Sequence, residues 1–367
     1  MALRIKKKPG ELEALRESID RVDERILDLL NRRANLARKI GRVKAKANNG
    51  KPRRALLYRP DREGIILRKL KGNNSGPFPT DSIEPVFREI ISGCRSLEIG
   101  LTVAYLGPEA TFAHRAARQY FGHRAGFHPL PTIEEVFDAV ERNQFDFGVV
   151  PIENSTGGTV GQVLDIFVDT GLVISGNIEL RISHNLYSKS GIMEKVKKIY
   201  SHPQGFAQSR GWIRSHLHDV EIIELSSTAE AARRAGHEPD SAAVAGKLAG
   251  QTYGLKAIAE RIEDFHQNFT RFFVIGKIKV RPTGHDRTSL LLSLKDEPGI
   301  LFKALEPFAR RGINMSKIES RPLKRRAWEY LFFIDVEGHI EDKKIARVLK
   351  EVKEFCLFLK VLGSYSA

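Results

Sequence analysis

Apolar residues at Leu12, Leu15, Ile19, Val22, Ile26, Leu29, Leu36, Ile40, Val43 and Ala47 recur at alternating steps of three and four. That spacing predicts one amphipathic helix over residues 11–47. The single gap in the series falls at Arg33. An arginine on an apolar seam loses hydration unless something anionic meets it. Lys44 lies eleven residues on, about three turns, and so shares the face of Arg33. Arg16 lies seventeen residues before Arg33 and is rotated onto a different face. A stripe this long cannot be buried by its own helix and asks for partner helices, including those of a second subunit. A break follows at Asn48-Asn49-Gly50-Lys51-Pro52, and a second helix is expected from Asp61 to Leu70. A third carries Ile83, Val86, Phe87, Ile90, Ile91, Cys94 and Leu97. Residues 1–98 therefore read as an all-helical unit.

The pattern changes at Ile99. Leu101 to Leu106 reads as a buried strand, followed by a Gly-Pro turn and a helix around Thr111 to Tyr120. Strand-like runs recur at 147–151, 173–177, 198–200, 221–225 and 242–245, separated by helical patterns. This alternation predicts an α/β block over 99–278 with a largely parallel sheet. Lys279 to Arg287, with Pro282 and Gly284, reads as a linker opening the last unit, 279–367. There Leu290 to Leu294 is a strand, Pro298-Gly299 opens a helix through Phe308, Gly312-Ile313-Asn314 turns the chain, and Ser316 to Ser320 starts the next strand. Such a turn, beside a helix N-terminus, can hold the carboxylate of a small amino acid. It is equally what an ordinary βαβ crossover looks like.

Composition narrows the class. The 367 residues, 41% hydrophobic and 29% charged, describe a globular chain of two or three domains. Two cysteines, Cys94 and Cys356, are too few for a disulfide framework, which suits a reducing cytoplasm. The basic start, Met1 to Pro9, has no apolar core behind it, and no run is long enough to span a membrane. The eleven histidines are scattered without paired ligand spacing, so no metal is expected. The net charge of +15 first suggests nucleic acid. Residues 1–98, with 24 Lys/Arg against 13 Asp/Glu, hold +11 of it. It rides there on an amphipathic helical pattern without aromatic interleaving. A basic site for a small dianion, or simply a solvated face, accounts for it better.

Leu15-Arg16-Glu17-Ser18-Ile19-Asp20 through Leu30-Asn31-Arg32-Arg33 to Lys44 resembles the all-α chorismate mutase family without a gap. The resemblance implies two intertwined helical chains, each pocket taking Arg16 from the partner and Arg33 and Lys44 from its own chain. Arg62 and Glu63 match the next pair of that pattern. Cys94 and Glu98, four apart, fall where the family places a small polar residue and a Gln or Glu beside the ether oxygen of chorismate. The implied chemistry fits these residue types. The rearrangement to prephenate needs no nucleophile or cofactor, only a grip on two carboxylates and stabilisation of charge on the breaking ether bond. Glu98 can donate to that oxygen only when protonated, so its pKa must be raised.

Six ordered motifs make the middle block similar to prephenate dehydratase catalytic domains: 105–112 (Tyr-Leu-Gly-Pro-Glu-Ala-Thr-Phe), 150–155, 182–186, 202–204, 226–229 and 268–272. The resemblance implies two α/β lobes with the substrate in the cleft, as in bilobal ligand-binding proteins. It places Thr270 where the departing C4 hydroxyl needs a proton or a strong hydrogen bond. Glu153, Asn154, Ser155, Gln204, Ser226, Thr228, Arg271 and Phe272 would line the cleft, and turn N–H groups near Thr111 and Thr228 would bind carboxylates. Read as residues alone, Thr111, Ser226 and Thr228 are also ordinary helix N-caps, and His184 and His202 read as structural histidines.

Ile318-Glu319-Ser320-Arg321-Pro322 makes the last unit similar to the phenylalanine-binding ACT domains of prephenate dehydratases. That implies a βαββαβ fold binding phenylalanine, between two such domains, near Gly299, Leu301, Asn314, Met315 and Ser316. Glu319 and Ser320 would tie the site to the rest of the domain. Together the three units imply a bifunctional enzyme taking chorismate through prephenate to phenylpyruvate under phenylalanine feedback. It would work as a homodimer or higher homo-oligomer, without cofactor, nucleic acid or membrane. An arogenate dehydratase on the same fold, and a non-catalytic amino-acid sensor, are the alternatives.

Overall fold

A computed structural model describes residues 10–47, 58–98, 100–322 and 330–367. The break expected at 48–52 and Ile99 lie outside the described residues. Helix α1 (Glu11–Ala47) is continuous, with Glu11 and Glu13 in its first turn and Lys44 and Lys46 in its last, each sign complementing the helix dipole. Its predicted stripe, Leu12 through Val43, is between 48% and 68% exposed at every position, so nothing among the described residues covers it. Helices α2 (Pro60–Gly72) and α3 (Thr80–Ser96) pack on each other, and α1 meets α3 near its C-terminal end.

The middle of the chain forms two lobes. The first holds β1 (Thr102–Leu106), α4 (Phe112–Phe121), β2 (Gly126–Leu130), α5 (Ile133–Glu141), β3 (Phe147–Asn154), β4 (Gly158–Thr159), α6 (Gly161–Asp169) and β5 (Val173–Arg181). The second holds β6 (Asn185–Ser188), β7 (Lys198–Ser201), α7 (Pro203–Gln208), α8 (Arg210–His216), β8 (Glu221–Glu224), α9 (Thr228–Ala235), β9 (Ser241–Ala245), α10 (Lys247–Thr252) and β10 (Lys256–Ala259). The chain then returns to the first lobe as β11 (Phe269–Gly276). The strand orders are β2-β1-β3-β11-β5, with β4 beside β3, and β10-β6-β9-β7-β8.

Neither sheet is largely parallel, which corrects the sequence expectation. β11 runs antiparallel to both β3 and β5, and β6 runs antiparallel to β9 and β10. The physical reason is the double crossing. A strand re-entering the first lobe from the second arrives at the cleft end and must run back against its neighbours. The expected strands do not include β2, β4, β6, β10 or β11; β2 and β10 are edge strands with no fully buried residue.

The last unit follows the order β12 (Asp286–Leu294), α11 (Ile300–Arg310), β13 (Met315–Pro322), β14 (Tyr330–Glu337), α12 (Lys343–Val352) and β15 (Cys356–Ser366). Its antiparallel sheet has the order β13-β14-β12-β15. The expected βαββαβ succession is present, with β12 starting at Asp286, inside the predicted linker. One sheet face carries Leu290, Leu292, Ile334 and Val336 against α11 and α12. The other sends Leu291, Phe333, Leu362 and Tyr365 into the core of the first lobe, against Val150, Ile152, Phe167 and Phe273. Inside that shared core Arg271 Nη1 meets Asp335 Oδ2 at 2.5 Å, while Nη2 donates to Tyr365 Oη (2.8 Å) and Nε to Asn177 Oδ1 (2.7 Å).

The helical unit is joined to the first lobe through α3 and α4. Arg88 Nη1 donates to Tyr120 O at 2.8 Å, Arg95 Nη2 donates to Phe121 O, and Glu89 accepts from His123 N at 3.1 Å. Two cations thus close the carbonyl end of α4, where the helix dipole is negative. Gly122, at φ 72°, leaves the space that Ser92 occupies.

The Asp335→Ala change strands a buried guanidinium and is expected to destabilise the protein by about 3–5 kcal/mol, read as a lowered denaturation midpoint. Combining Arg271→Met with Asp335→Leu should recover most of the loss.

Candidate functional sites

Two sites emerge, about two different helix systems. On the helical unit, Glu98 stands just beyond the end of α3, with Lys44 Nζ 3.8 Å from its Oε2 and Gly41 directly against its stem. Burial raises the Glu98 pKa, while the charges of Lys44, Arg33 and Arg95 oppose that rise. Cys94 is buried one turn earlier on α3. Arg33, Lys44, Cys94 and Glu98 are therefore gathered in one region. Arg16 is not among them. On one continuous helix, seventeen residues put it about 25 Å from Arg33. Arg62 and Glu63 lie in the first turn of α2. Arg62 is exposed, and the Glu63 carboxylate is held by Arg95 Nη1 at 2.7 Å, with both side chains under 16% exposed at the seam to α4. Glu63 is turned toward Arg95 because that arginine, stacked over Tyr58, is the cation available there.

The second site is a cavity of about 350 Å³ between the lobes. Two larger hollows, of about 720 and 430 Å³, lie elsewhere, the first between α3, α4 and α10 and the second between α2, α3 and β5. Part of their charged lining is paired, Glu84 with Lys71 and Arg88, and Glu89 with His123. In the 350 Å³ cavity the polar groups converge. Thr111 caps α4, accepting from His114 N at 3.3 Å, and Thr111 and Phe112 face the cavity. From the other lobe α9 presents its N-terminus. Its cap is Ser227, accepting from Glu230 N at 3.0 Å, rather than Ser226 or Thr228, and all three line the cavity. Two helix N-termini from opposite lobes thus face one space, an arrangement that favours a dianion. No Lys, Arg, Asp or Glu lines it among the described residues.

Thr270, on β11, sits at the wall with Phe272. Its Oγ1 accepts from Asn154 Nδ2 at 2.8 Å. The Asn154 amide cannot be turned around, because its Oδ1 accepts from Thr156 N (3.1 Å), Thr156 Oγ1 (2.7 Å) and Gly157 N (2.8 Å). Its other amide hydrogen goes to Asn268 Oδ1 at 2.9 Å. Asn154 therefore donates to Thr270, and the Thr270 hydroxyl keeps its own hydrogen for a partner in the cavity.

The network continues through residues that sequence reasoning missed. Gln208 Oε1 accepts from Asn268 Nδ2 at 2.9 Å and lies 2.9 Å from His184 Nε2, while Gln208 Nε2 donates to Thr156 Oγ1 at 2.8 Å. Gln208 stands one turn after Gln204 on α7, which was the available signal. It joins the second lobe to the Asn154 turn of the first. His184 is buried, its pKa lowered by desolvation, and with Nε2 as the donor to Gln208 it is neutral. His202 caps α7 through its ring nitrogen, 3.2 Å from Gln204 N, and its pKa is likewise lowered by burial. Both histidines also line the cavity.

Three expected cleft residues do not line it. Arg271 faces the opposite side of β11, in the ion pair with Asp335, because adjacent strand residues point to opposite faces. Glu153 faces away from the cavity for the same reason and pairs with Lys317 at 2.8 Å. Ser155 joins β3 to the start of β11, its Oγ accepting from Phe269 N at 3.0 Å.

In the last unit Gly299 takes a left-handed conformation at φ 74° before α11, as only glycine does readily. Leu301, Asn314 and Ser316 are exposed around it, and Met315 is half-buried. Asn314 Nδ2 donates to Glu337 Oε1 at 2.8 Å. Ser320 is exposed, but Glu319 reaches out of the unit to accept from Thr159 Oγ1.

Family models described as chorismate mutase type II, prephenate dehydratase and ACT domain match residues 15–99, 103–280 and 288–354 in that order. The chain is thus an enzyme with two catalytic domains and a regulatory one. A bifunctional chorismate mutase/prephenate dehydratase of Aquifex aeolicus is 48% identical over 359 residues, 97% of this chain and 98% of the relative. The prephenate dehydratase of Arthrobacter aurescens, solved in complex with L-Phe, is 33% identical with a TM-score of 0.67, covering 73% of this chain and 90% of that one. A solved chain described as a novel type of quorum-quenching acylase is 29% identical with a TM-score of 0.66, covering 72% of this chain and 97% of that one. The fold alone therefore does not name the chemistry. Near-full-length identity does: the chain belongs to the bifunctional chorismate mutase/prephenate dehydratase family.

The raised Glu98 pKa gives a pH signature. A protonated carboxyl donates, and that form is present below the pKa, so mutase turnover is expected to rise as pH falls through it. Glu98→Gln, a permanent donor, should flatten the profile; an unchanged slope would remove Glu98 from this role.

Proposed function

We propose that the chain rearranges chorismate to prephenate on the face carrying Arg33, Lys44, Cys94 and Glu98. Prephenate is then decarboxylated and dehydrated to phenylpyruvate in the cavity beneath Thr270, under phenylalanine feedback through the ACT domain. The observation that carries the dehydratase reading is the oriented Asn154 amide, which leaves the Thr270 hydrogen free for the cavity. The electrons of the C–CO₂ bond move into the ring as the C4–O bond breaks, and the leaving hydroxide must acquire a proton. Thr270 supplies a hydrogen bond to that oxygen, and the Asn154 N–H stabilises the charge that builds on Oγ1. The N-termini of α4 and α9 hold the two carboxylates. Arogenate would bring an ammonium group into a cavity that has no carboxylate among its described lining residues. That supports the keto acid, prephenate, as the substrate. An amino-acid sensor would have no use for a hydroxyl oriented in this way.

In the mutase, the bare α1 stripe and the distance from Arg16 to Arg33 support one arrangement. A second copy of α1 covers the stripe and brings its Arg16 to the first copy's Arg33 and Lys44. Among the described residues no helix is long and apolar enough to cross a membrane, which fits the proposed cytoplasmic setting. Phenylalanine would bind near Gly299, Leu301, Asn314, Met315 and Ser316, at the start of α11 and the start of β13.

Thr270→Ala is expected to lower dehydratase kcat by on the order of 100-fold or more while chorismate rearrangement stays near the parental rate. Equal loss of both activities would contradict separate sites. Mixing Arg16→Ala chains with Arg33→Ala chains should restore mutase activity, because each hetero-dimer then holds one complete pocket; no recovery despite demonstrated subunit exchange would rule out a shared pocket.

A further inference from the structure

The hairpin that carries Asn154 is held from outside its own domain. β3 and β4 pair Glu153 with Thr159 and Asn154 with Gly158. Asn154 faces the cavity, and Glu153 and Thr159 meet the ACT strand β13. There a single ammonium, Lys317 Nζ, lies 2.8 Å from Glu153 Oε2, 3.2 Å from Glu319 Oε2 and donates to Thr159 Oγ1 at 3.1 Å. Its three hydrogens are matched by three oxygens. Glu319 closes the cluster by accepting from Thr159 Oγ1. The Lys317 side chain is only 12% exposed, while its partners Glu153 and Glu319 keep 36% and 26%. Two carboxylates share this ammonium, and its removal would leave neither with its direct ion-pair partner.

We propose that Lys317 is a positioning residue for the dehydratase, supplied by the regulatory domain: it clamps both strands of the 153–159 hairpin and so holds Asn154 against Thr270. Lys317 does not touch the cavity and acts only through Glu153 and Thr159. The inference rests on the dehydratase reading above and extends it. It also says how a ligand at the exposed 314–316 segment reaches the chemistry. Lys317 is the next residue on the same strand, so a ligand that shifts β13 moves the clamp with it. The differential affinity that inhibition requires is then an affinity for one position of this strand.

The test uses the full chain. Lys317→Met is expected to lower dehydratase kcat on the order of 10-fold or more, with KM changed less than about twofold, because the oriented hydroxyl acts on the transition state. Mutase kcat in the same preparation should be unchanged, and Lys317→Arg should restore most of the lost turnover. Adding Glu153→Gln to Lys317→Met should lower kcat no further, since both changes break one link. Backbone hydrogen exchange over 153–160 should accelerate in Lys317→Met while exchange in β1 and β5 does not, a readout that needs no substrate. Parental kcat, or unchanged exchange in the hairpin, would overturn the proposal. A parent chain inert toward prephenate would instead overturn the dehydratase reading, and the exchange experiment would still decide the clamp.

Discussion

Strand β11 holds the chain together physically. It returns from the second lobe, inserts antiparallel between β3 and β5, and alternates its side chains between two environments. Thr270 and Phe272 face the cavity, and Val274 continues on that side into the core under α4. Arg271, Phe273 and Ile275 face the other way, toward the ACT sheet and the core that sheet shares with the first lobe. The Arg271–Asp335 pair is buried on both sides, and breaking it would leave an uncompensated charge in that core. A regulatory domain attached in this manner cannot shift without reaching the strand that carries Thr270.

The helical domain is joined by a different device. Arg88 and Arg95 of α3 close the carbonyl end of α4, whose opposite end, at Thr111 and Phe112, opens on the dehydratase cavity. The same α3 carries Cys94 and leads into Glu98. One ten-residue helix therefore stands between the Lys44–Glu98 region and the cavity between the lobes. Arg95 also pairs with Glu63 of α2.

Much of this was legible in the residues. The three-and-four spacing foretold α1 to within a residue, and its stripe stays exposed among the described residues. Turn signals around Gly299 and Gly312 located the ACT crossover. What failed, failed for identifiable reasons. Residues quoted together in a motif were assigned together to the cleft, although a strand separates its neighbours onto opposite faces. Asn154 and Thr270 line the cavity, and Glu153 and Arg271, one residue away from each, bind the ACT domain instead. Period two was available in the sequence; the acidic and basic partners, Lys317 and Asp335, were not, because they come from another domain. The mixed sheets were hidden because strand direction depends on how often the chain crosses between lobes.

The central claim is that phenylalanine acts through the ACT domain on a hydroxyl held from both sides of β11. Steady-state dehydratase kinetics on the full chain, with prephenate varied at several phenylalanine concentrations, test it most directly. The account predicts that phenylalanine lowers kcat and that saturating prephenate does not restore it. Inhibition that raises only KM, and disappears at saturating prephenate, would place phenylalanine in the cavity itself and contradict it.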